Sequence, residues 1–174
     1  VSQPATTSKR TARVAALALL AQRRLTEAQL WKKLQTRGYD DDEIAAAVAS
    51  CKSDGYVDDR LYAALYVEGA RKAVGDARLR ADLVKRGIDR EAAAEIVRSA
   101  EVDEDARIAA AYEKIARTQP QLEYPAVARR LERLGFPTAL IYRTLRVRAR
   151  ADLADILEDV EIADATPRSR SATR

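Results

Sequence analysis

Three glycines, Gly38, Gly87 and Gly135, stand 49 and 48 residues apart, and matching apolar residues surround each of them. Four residues before them lie Leu34, Leu83 and Leu131, and eight before them Leu30, Leu79 and Val127. One residue after come Tyr39, Ile88 and Phe136; ten after come Val48, Val97 and Leu145. Gaps of four and eight put the leading residues on one face of a helix. A glycine just beyond ends such a helix in the left-handed conformation, where a Cβ is costly, and the next residue folds back on the preceding turn. A unit of this kind, present three times in 174 residues, directs the chain to a repeat architecture.

Helix start signals divide each unit into three. In the first, Thr11–Arg23 has an apolar side through Val14, Leu17, Leu20 and neighbouring alanines. Thr26 with Gln29, and Asp40 with Glu43, have the spacing of capping boxes for the two helices that follow, the second running through Cys51 to Gly55. In the second unit, Asp58 caps a helix to Lys72 expected to bury Leu61 and Leu65 with Tyr62 and Tyr66. Gly75-Asp76 opens the next, and Asp89 caps a third through Ile96 and Val97. In the last unit Asp103 precedes a stripe of Ile108, Ala111, Tyr112 and Ile115, Pro125 lies in a first turn, and Pro137-Thr138 starts the final helix. The predicted fold is all-α: three tandem three-helix repeats, 11–57, 58–102 and 103–150, in an elongated, curved array. Residues 1–10 are expected to be disordered, and 151–174 to form an acidic amphipathic helix and a disordered tail. With 5% aromatic residues and many alanines, thin repeated cores are expected rather than one thick one.

The same residues narrow the chemistry. There is no histidine and a single cysteine, Cys51, so a thiol–imidazole pair and a disulfide framework are both excluded. No phosphate-binding glycine loop and no apolar run of membrane-spanning length occurs. No cofactor is expected. Thr11–Leu20 is apolar, but its spacing suits a packed helix better than a leader, and a start without Met reads as trimmed. A lone cysteine fits a reducing compartment, so a cytoplasmic protein without membrane association is expected. Paired carboxylates among the 27 acidic residues leave hydrolytic chemistry open as a remote alternative.

Recognition is the better reading, and basic clusters carry it. Arg71, Lys72, Arg78, Arg80, Lys85 and Arg86 fall in the second unit; Arg129, Arg130, Arg133, Arg143, Arg146 and Arg150 fall in the third. From Gln119 to Arg150 seven arginines face two glutamates, a net +5 against +4 for the whole chain. Arg143, Arg146 and Arg150 share a helix face by their spacing. Such patches suit a polyanion or an acidic protein groove, against the plainer reading of a solvated helix face. Trp31, beside Leu30 and Leu34, is expected to pack between repeats or to anchor a partner. The segment Gly55–Asp59 reads as a turn in which Tyr56 packs and Asp58 caps, with a partner-facing role as the alternative. Ala151–Ala165 holds six acidic and no basic residues, with Leu153, Ile156, Leu157 and Val160 as its apolar stripe. It is expected to form a helix that can continue the last repeat helix, packed on the third repeat or, on a sharper reading, folded back over the arginine-rich face.

Three stretches resemble a known family. Thr26-Glu27-Ala28-Gln29-Leu30 through Leu34 to Gly38-Tyr39, Gly55-Tyr56-Val57-Asp58-Asp59 with Tyr62-Ala63 and Tyr66-Val67, and Gly75 through Arg78-Leu79-Arg80 and Leu83 to Lys85-Arg86-Gly87-Ile88 are similar to segments of RecX, the bacterial modulators of RecA recombinase. The resemblance covers about Arg13 to Arg150. It implies nine helices in three repeats and binding to RecA recombinase, free or in its filament on DNA, with lowered ATPase, strand-exchange and repressor-cleavage activities; separately, a monomer is expected. Direct DNA contact is a further expectation, and a nucleic-acid binder built of helix-turn-helix-like units is the rival reading.

Overall fold

The structure, a computed structural model, describes residues 11–70, 74–100 and 103–165. Among these residues there are nine helices and no strand: α1 (Ala12–Gln22), α2 (Glu27–Thr36), α3 (Asp41–Ser53), α4 (Asp59–Ala70), α5 (Asp76–Lys85), α6 (Arg90–Arg98), α7 (Glu104–Thr118), α8 (Tyr124–Arg133) and α9 (Thr138–Ala165). The expectations of disordered ends at 1–10 and 166–174 lie outside the described residues.

Local chemistry sets most helix starts. Thr26 and Asp40 each accept from the backbone N–H three residues on, and Gln29 and Glu43 return the bond to the cap, so both capping boxes are closed. Asp89 accepts from Glu91 and Ala92, and Asp58 from Leu61. At the other ends, Gly38, Gly55, Gly87 and Gly135 have φ of 77°, 76°, 89° and 89°. The residue after each of the three repeat-marking glycines donates to the leucine that precedes that glycine by four: Tyr39 to Leu34 O, Ile88 to Leu83 O, Phe136 to Leu131 O.

Helix–helix packing is concentrated within triplets: α1, α2 and α3 pack together, then α4, α5 and α6, then α7, α8 and α9. Each triplet has its own apolar cluster, and the repeat-register residues fill them. Leu30, Leu34, Leu79, Leu83 and Leu131 are fully buried, each stabilising by roughly 1.5–3 kcal/mol through the area removed from water. The result is a string of three small cores rather than one.

Several side chains depart from the expected packing. On α1 the buried face is Ala12, Ala15, Ala16 and Leu19, while Val14 is exposed; alanines on that face allow a close approach of α1 to α3, with which it packs. On α4, Ala63 and Val67 are buried whereas Leu61 and Leu65 are exposed, and Tyr62 and Tyr66 are half-buried. After Gly55 it is Val57 that enters the core, and Tyr56 stands in solvent. Trp31 packs against the first triplet's own core, not between repeats. The acidic segment does not fold back: α9 runs unbroken for 28 residues, about 42 Å at 1.5 Å per residue, and Leu153 is exposed.

Neighbouring triplets meet at a recurring junction. The start of the second helix in one triplet lies on the glycine turn that ends the second helix of the next. Thr26 Oγ1 donates to the Arg86 carbonyl at 2.6 Å, and the Gly75 N–H donates to the Leu134 carbonyl at 2.9 Å. A Cβ on Gly87 would fall 2.2 Å from Ala28 Cβ, and one on Gly135 would fall 2.7 Å from the Arg78 backbone N. These glycines are therefore required twice, by φ and by the neighbour. Gly38 is required by φ alone, since a Cβ there would meet nothing within 4 Å. The first helical residue of the following triplet closes the junction: Asp59 accepts from the Glu27 N–H at 2.8 Å, and Glu104 from the Asp76 N–H at 2.7 Å. Both satisfy an amide that a helix start leaves without a partner.

Candidate partner-binding surface

The candidate cations fall into two groups. Four of them are engaged by other residues of the chain. Arg86 lies over the Tyr66 ring at 4.2 Å and donates to the Asp82 carbonyl at 2.8 Å. Arg78 pairs with Asp82 at 3.3 Å, Arg130 donates to Gln119 Oε1, and Arg143 pairs with Asp105 across to α7. Tyr66 in turn donates to Asp82 at 3.1 Å, and burial, above all, pushes its phenol pKa up. Of these, Arg86 and Arg143 join neighbouring helices as well as carrying charge.

The other six, Arg80 and Lys85 on α5, Arg129 and Arg133 on α8, and Arg146 and Arg150 on α9, are exposed. They make no ion pair or hydrogen bond among the described residues. Their ammonium and guanidinium groups remain available to an external anion. Arg71 and Lys72 lie outside the described residues. Arg129 and Arg146 come together on an open groove of about 570 Å³ between α8 and α9, floored by Ile141 and Leu145 and rimmed by Tyr142, which is 63% exposed, and by Glu132. Arg143, although on the same outward side of α9, is drawn away to Asp105. Tyr124 also lines this groove and donates to Asp152 of α9 at 2.5 Å. That bond, first, and partial burial hold the Tyr124 phenol well above its ordinary pKa.

Two features are not visible in the sequence. Arg107 of α7 is 4% exposed, paired with Asp76 and donating to the Val74 carbonyl at 3.1 Å. Nothing in a helix stripe distinguishes such a residue from an arginine on a solvated face. The second feature is a basic groove on the first triplet, between α1 and α2, lined by Arg23, Lys32, Lys33 and Arg37. Lys32 falls opposite the Leu30–Leu34 face, but Lys33 and Arg37 stand beside that face, and Arg23 joins them only through the fold.

A reactive centre is not among the described features. Cys51 is buried, and burial is the main cause of a raised thiol pKa, so the thiolate is suppressed. Among the described residues no group of His, Cys, Asp or Glu could hold a metal, and no helix is long and apolar enough to cross a membrane.

Comparison with known proteins agrees with this architecture. A family model described as RecX, first three-helix domain, matches residues 12–51. A regulatory protein RecX of Thermus thermophilus is 33% identical over 132 residues, 76% of this chain and 88% of that protein. A regulatory protein RecX of Pseudomonas entomophila is 32% identical over 108 residues, 61% of this chain and 70% of that protein. The crystal structure of RecX from Lactobacillus salivarius superposes with a TM-score of 0.67 over 78% of this chain and 92% of that one, at 19% identity, a likeness of fold. With the nine-helix string and a relative matched along most of its length, the chain belongs to the RecX family of regulatory proteins.

Proposed function

We propose that this protein binds RecA recombinase, free or as its filament on DNA, and inhibits its ATPase, strand-exchange and coprotease activities in recombination and the SOS response. It acts there as a cytoplasmic monomer and as a ligand rather than a catalyst. The observation that carries this reading is the match to a RecX regulatory protein over 132 residues, a length that must reach all three triplets. The unpaired cations add to it, because Arg80 and Lys85 lie on the second triplet and Arg129, Arg133, Arg146 and Arg150 on the third. Contacts spread along a string of triplets bind a repeating partner in series, each modest and the sum strong. A ligand that prefers a non-extending filament state then shifts the population by its difference in affinity. The three triplets, with boundaries at 11–57, 58–102 and 103–150, are the units we propose for that serial contact.

The helix-turn-helix alternative is opposed by charge. In the first two triplets the helices that would enter a groove begin with carboxylates, Asp41, Asp42 and Glu43 on α3 and Glu91 on α6, which phosphates repel at that end. The test is RecA ATPase on single-stranded DNA with this protein added below one copy per recombinase. A dose-dependent fall is expected, blunted by Arg129→Glu with Arg146→Glu. Unchanged ATPase, together with equal affinity for bare and RecA-coated DNA, would overturn the proposal.

A further inference from the structure

The α1–α2 groove of the first triplet and the acidic end of α9 on the third carry opposite charge. Arg23, at the C-cap of α1, and Lys32, Lys33 and Arg37 of α2 line an opening of about 450 Å³ together with Leu19, and no carboxylate is part of it. None of the four cations makes an ion pair or a side-chain hydrogen bond among the described residues, whereas Arg13 and Lys52 of the same triplet are paired, with Asp54 and Glu27. Like charges held around one opening repel one another, a cost that an anionic occupant removes. Leu19 and the methylene stems of the lysines and arginines give the same opening an apolar lining.

The end of α9 has the matching character. Its last residues, 151–165, include six carboxylates and no cation, and Leu153, Ile156, Leu157 and Val160 follow one another at helical spacing. The four residues at its root, 151–154, are all exposed, Leu153 at 57%, so the third triplet leaves the start of this stripe uncovered. There is no basic residue in the last turn of α9, and Asp164 falls there, at the negative end of the helix dipole. A carboxylate at that end is unfavourable, and cations supplied from outside offset the cost.

We infer that the acidic end of α9 from one copy of this chain docks in the α1–α2 groove of a second copy. Carboxylates meet the basic rim and the apolar stripe meets Leu19, as an amphipathic helix enters a groove. At 1.5 Å per residue the segment 151–165 is about 22 Å long and α2 about 15 Å, so the one can span the other. An unbroken helix does not turn back on its own chain, which makes the occupant another molecule's. The α8–α9 groove is the poorer seat, because it includes Glu132. Groove and helix end belong to different triplets, so the contact is head to tail and each added copy leaves one of each open. Exposed ion pairs are individually weak and screened by salt, so the protein is monomeric when dilute and associates as its concentration rises.

Sedimentation velocity on the full chain tests this, with neither recombinase nor DNA present. At low salt the mean mass is expected to rise with protein concentration, and the rise should be lost in about 1 M salt, where the Debye length is about 3 Å. Two charge-reversed variants locate the contact. One carries Arg23→Glu, Lys32→Glu and Arg37→Glu, all at exposed positions; the other carries Asp155→Lys, Glu158→Lys, Asp159→Lys and Glu161→Lys. Each alone should stay monomeric at every concentration, because its groove and helix end now have the same sign. Mixed in equal amounts they should associate again, which also shows that both are folded. In the unaltered protein, amide NMR shifts on raising the concentration should fall on Gln29 and Thr36, the neutral residues of the groove. A single monomeric species at low salt and high concentration would overturn the inference. So would variants that still associate alone, a mixture that stays monomeric, or shifts confined to the α8–α9 groove. None of these results bears on the recombinase ATPase assay, so the two proposals fall separately.

Discussion

At the first junction between triplets a hydroxyl, that of Thr26, reaches the Arg86 carbonyl, while at the second the backbone N–H of Gly75 reaches the Leu134 carbonyl directly. The first junction is thus spaced by a side chain and the second is backbone on backbone, so close that a Cβ on Gly75 would fall 2.3 Å from the Gly135 oxygen. The second also encloses an ion pair, Arg107 with Asp76, for which the first has no counterpart: Tyr62 stands in the equivalent register and is half-buried. The pattern is shared, since Asp59 and Glu104 cap the preceding triplet in the same way. The difference shows that a repeat can keep its geometry of docking while changing which atoms make it. It also makes the second junction the tighter and more specific of the two.

Substitutions can break this contrast in order of size. Gly135→Ala imposes both the left-handed strain and a backbone collision, and is expected to cost about 3 kcal/mol in urea unfolding. Gly38→Ala, which meets nothing, should cost only about 1 kcal/mol. Equal effects would show that the triplets do not meet at the glycine turns.

Arg107→Ala is next. Removing one partner of a buried pair costs roughly 3–5 kcal/mol, and because Asp76 keeps 27% exposure the expected loss is nearer 2 kcal/mol. At the first junction, Thr26→Val keeps the shape but removes a buried hydroxyl and its cap, for about 1–2 kcal/mol. A larger loss at Thr26 than at Arg107 would reverse the ranking of the junctions.

The smallest effect separates a junction cap from an ordinary one by pH. Burial, the leading cause, raises the pKa of Asp59, whereas hydrogen bonds from Ala92 and Glu91 lower that of Asp89. Folded Asp59 therefore binds a proton more readily than unfolded Asp59, and its contribution to stability declines as pH rises from the ordinary aspartate range through its raised value. Asp89 does the reverse: its stabilisation is present above the ordinary range and is lost as pH falls through its lowered value. Carboxyl carbon shifts followed by NMR should place the Asp59 midpoint above that of Asp89, and the opposite order would refute the difference in burial.

Sequence alone reached the fold because its signals are local. A glycine at a helix end, Thr26 with Gln29, and Asp40 with Glu43 specify their geometry within a few residues, and all appear in place. What stayed hidden depends on distance in the chain. Leu61 and Leu65 satisfy a helical stripe as well as Ala63 and Val67 do, yet it is the smaller pair that the fold buries. Arg107 is indistinguishable from a surface arginine until α5 brings Asp76 to it, 31 residues away. The candidate cations show the same limit. Arg80 and Arg86 look alike in sequence, yet Arg86 is engaged by Tyr66 and Asp82 while Arg80 is free among the described residues.

Amide hydrogen exchange at Glu27 and Asp76 tests the repeated junction most directly. Both N–H groups sit at the first position of a helix, where exchange is ordinarily fast because no carbonyl is in reach. Capped from the following triplet by Asp59 and Glu104, they are expected to exchange slowly, and Gly87→Ala should release Glu27 while leaving Asp76 protected. Fast exchange at both in the unaltered protein would mean that the triplets are merely tethered, and the docked array would have to be abandoned.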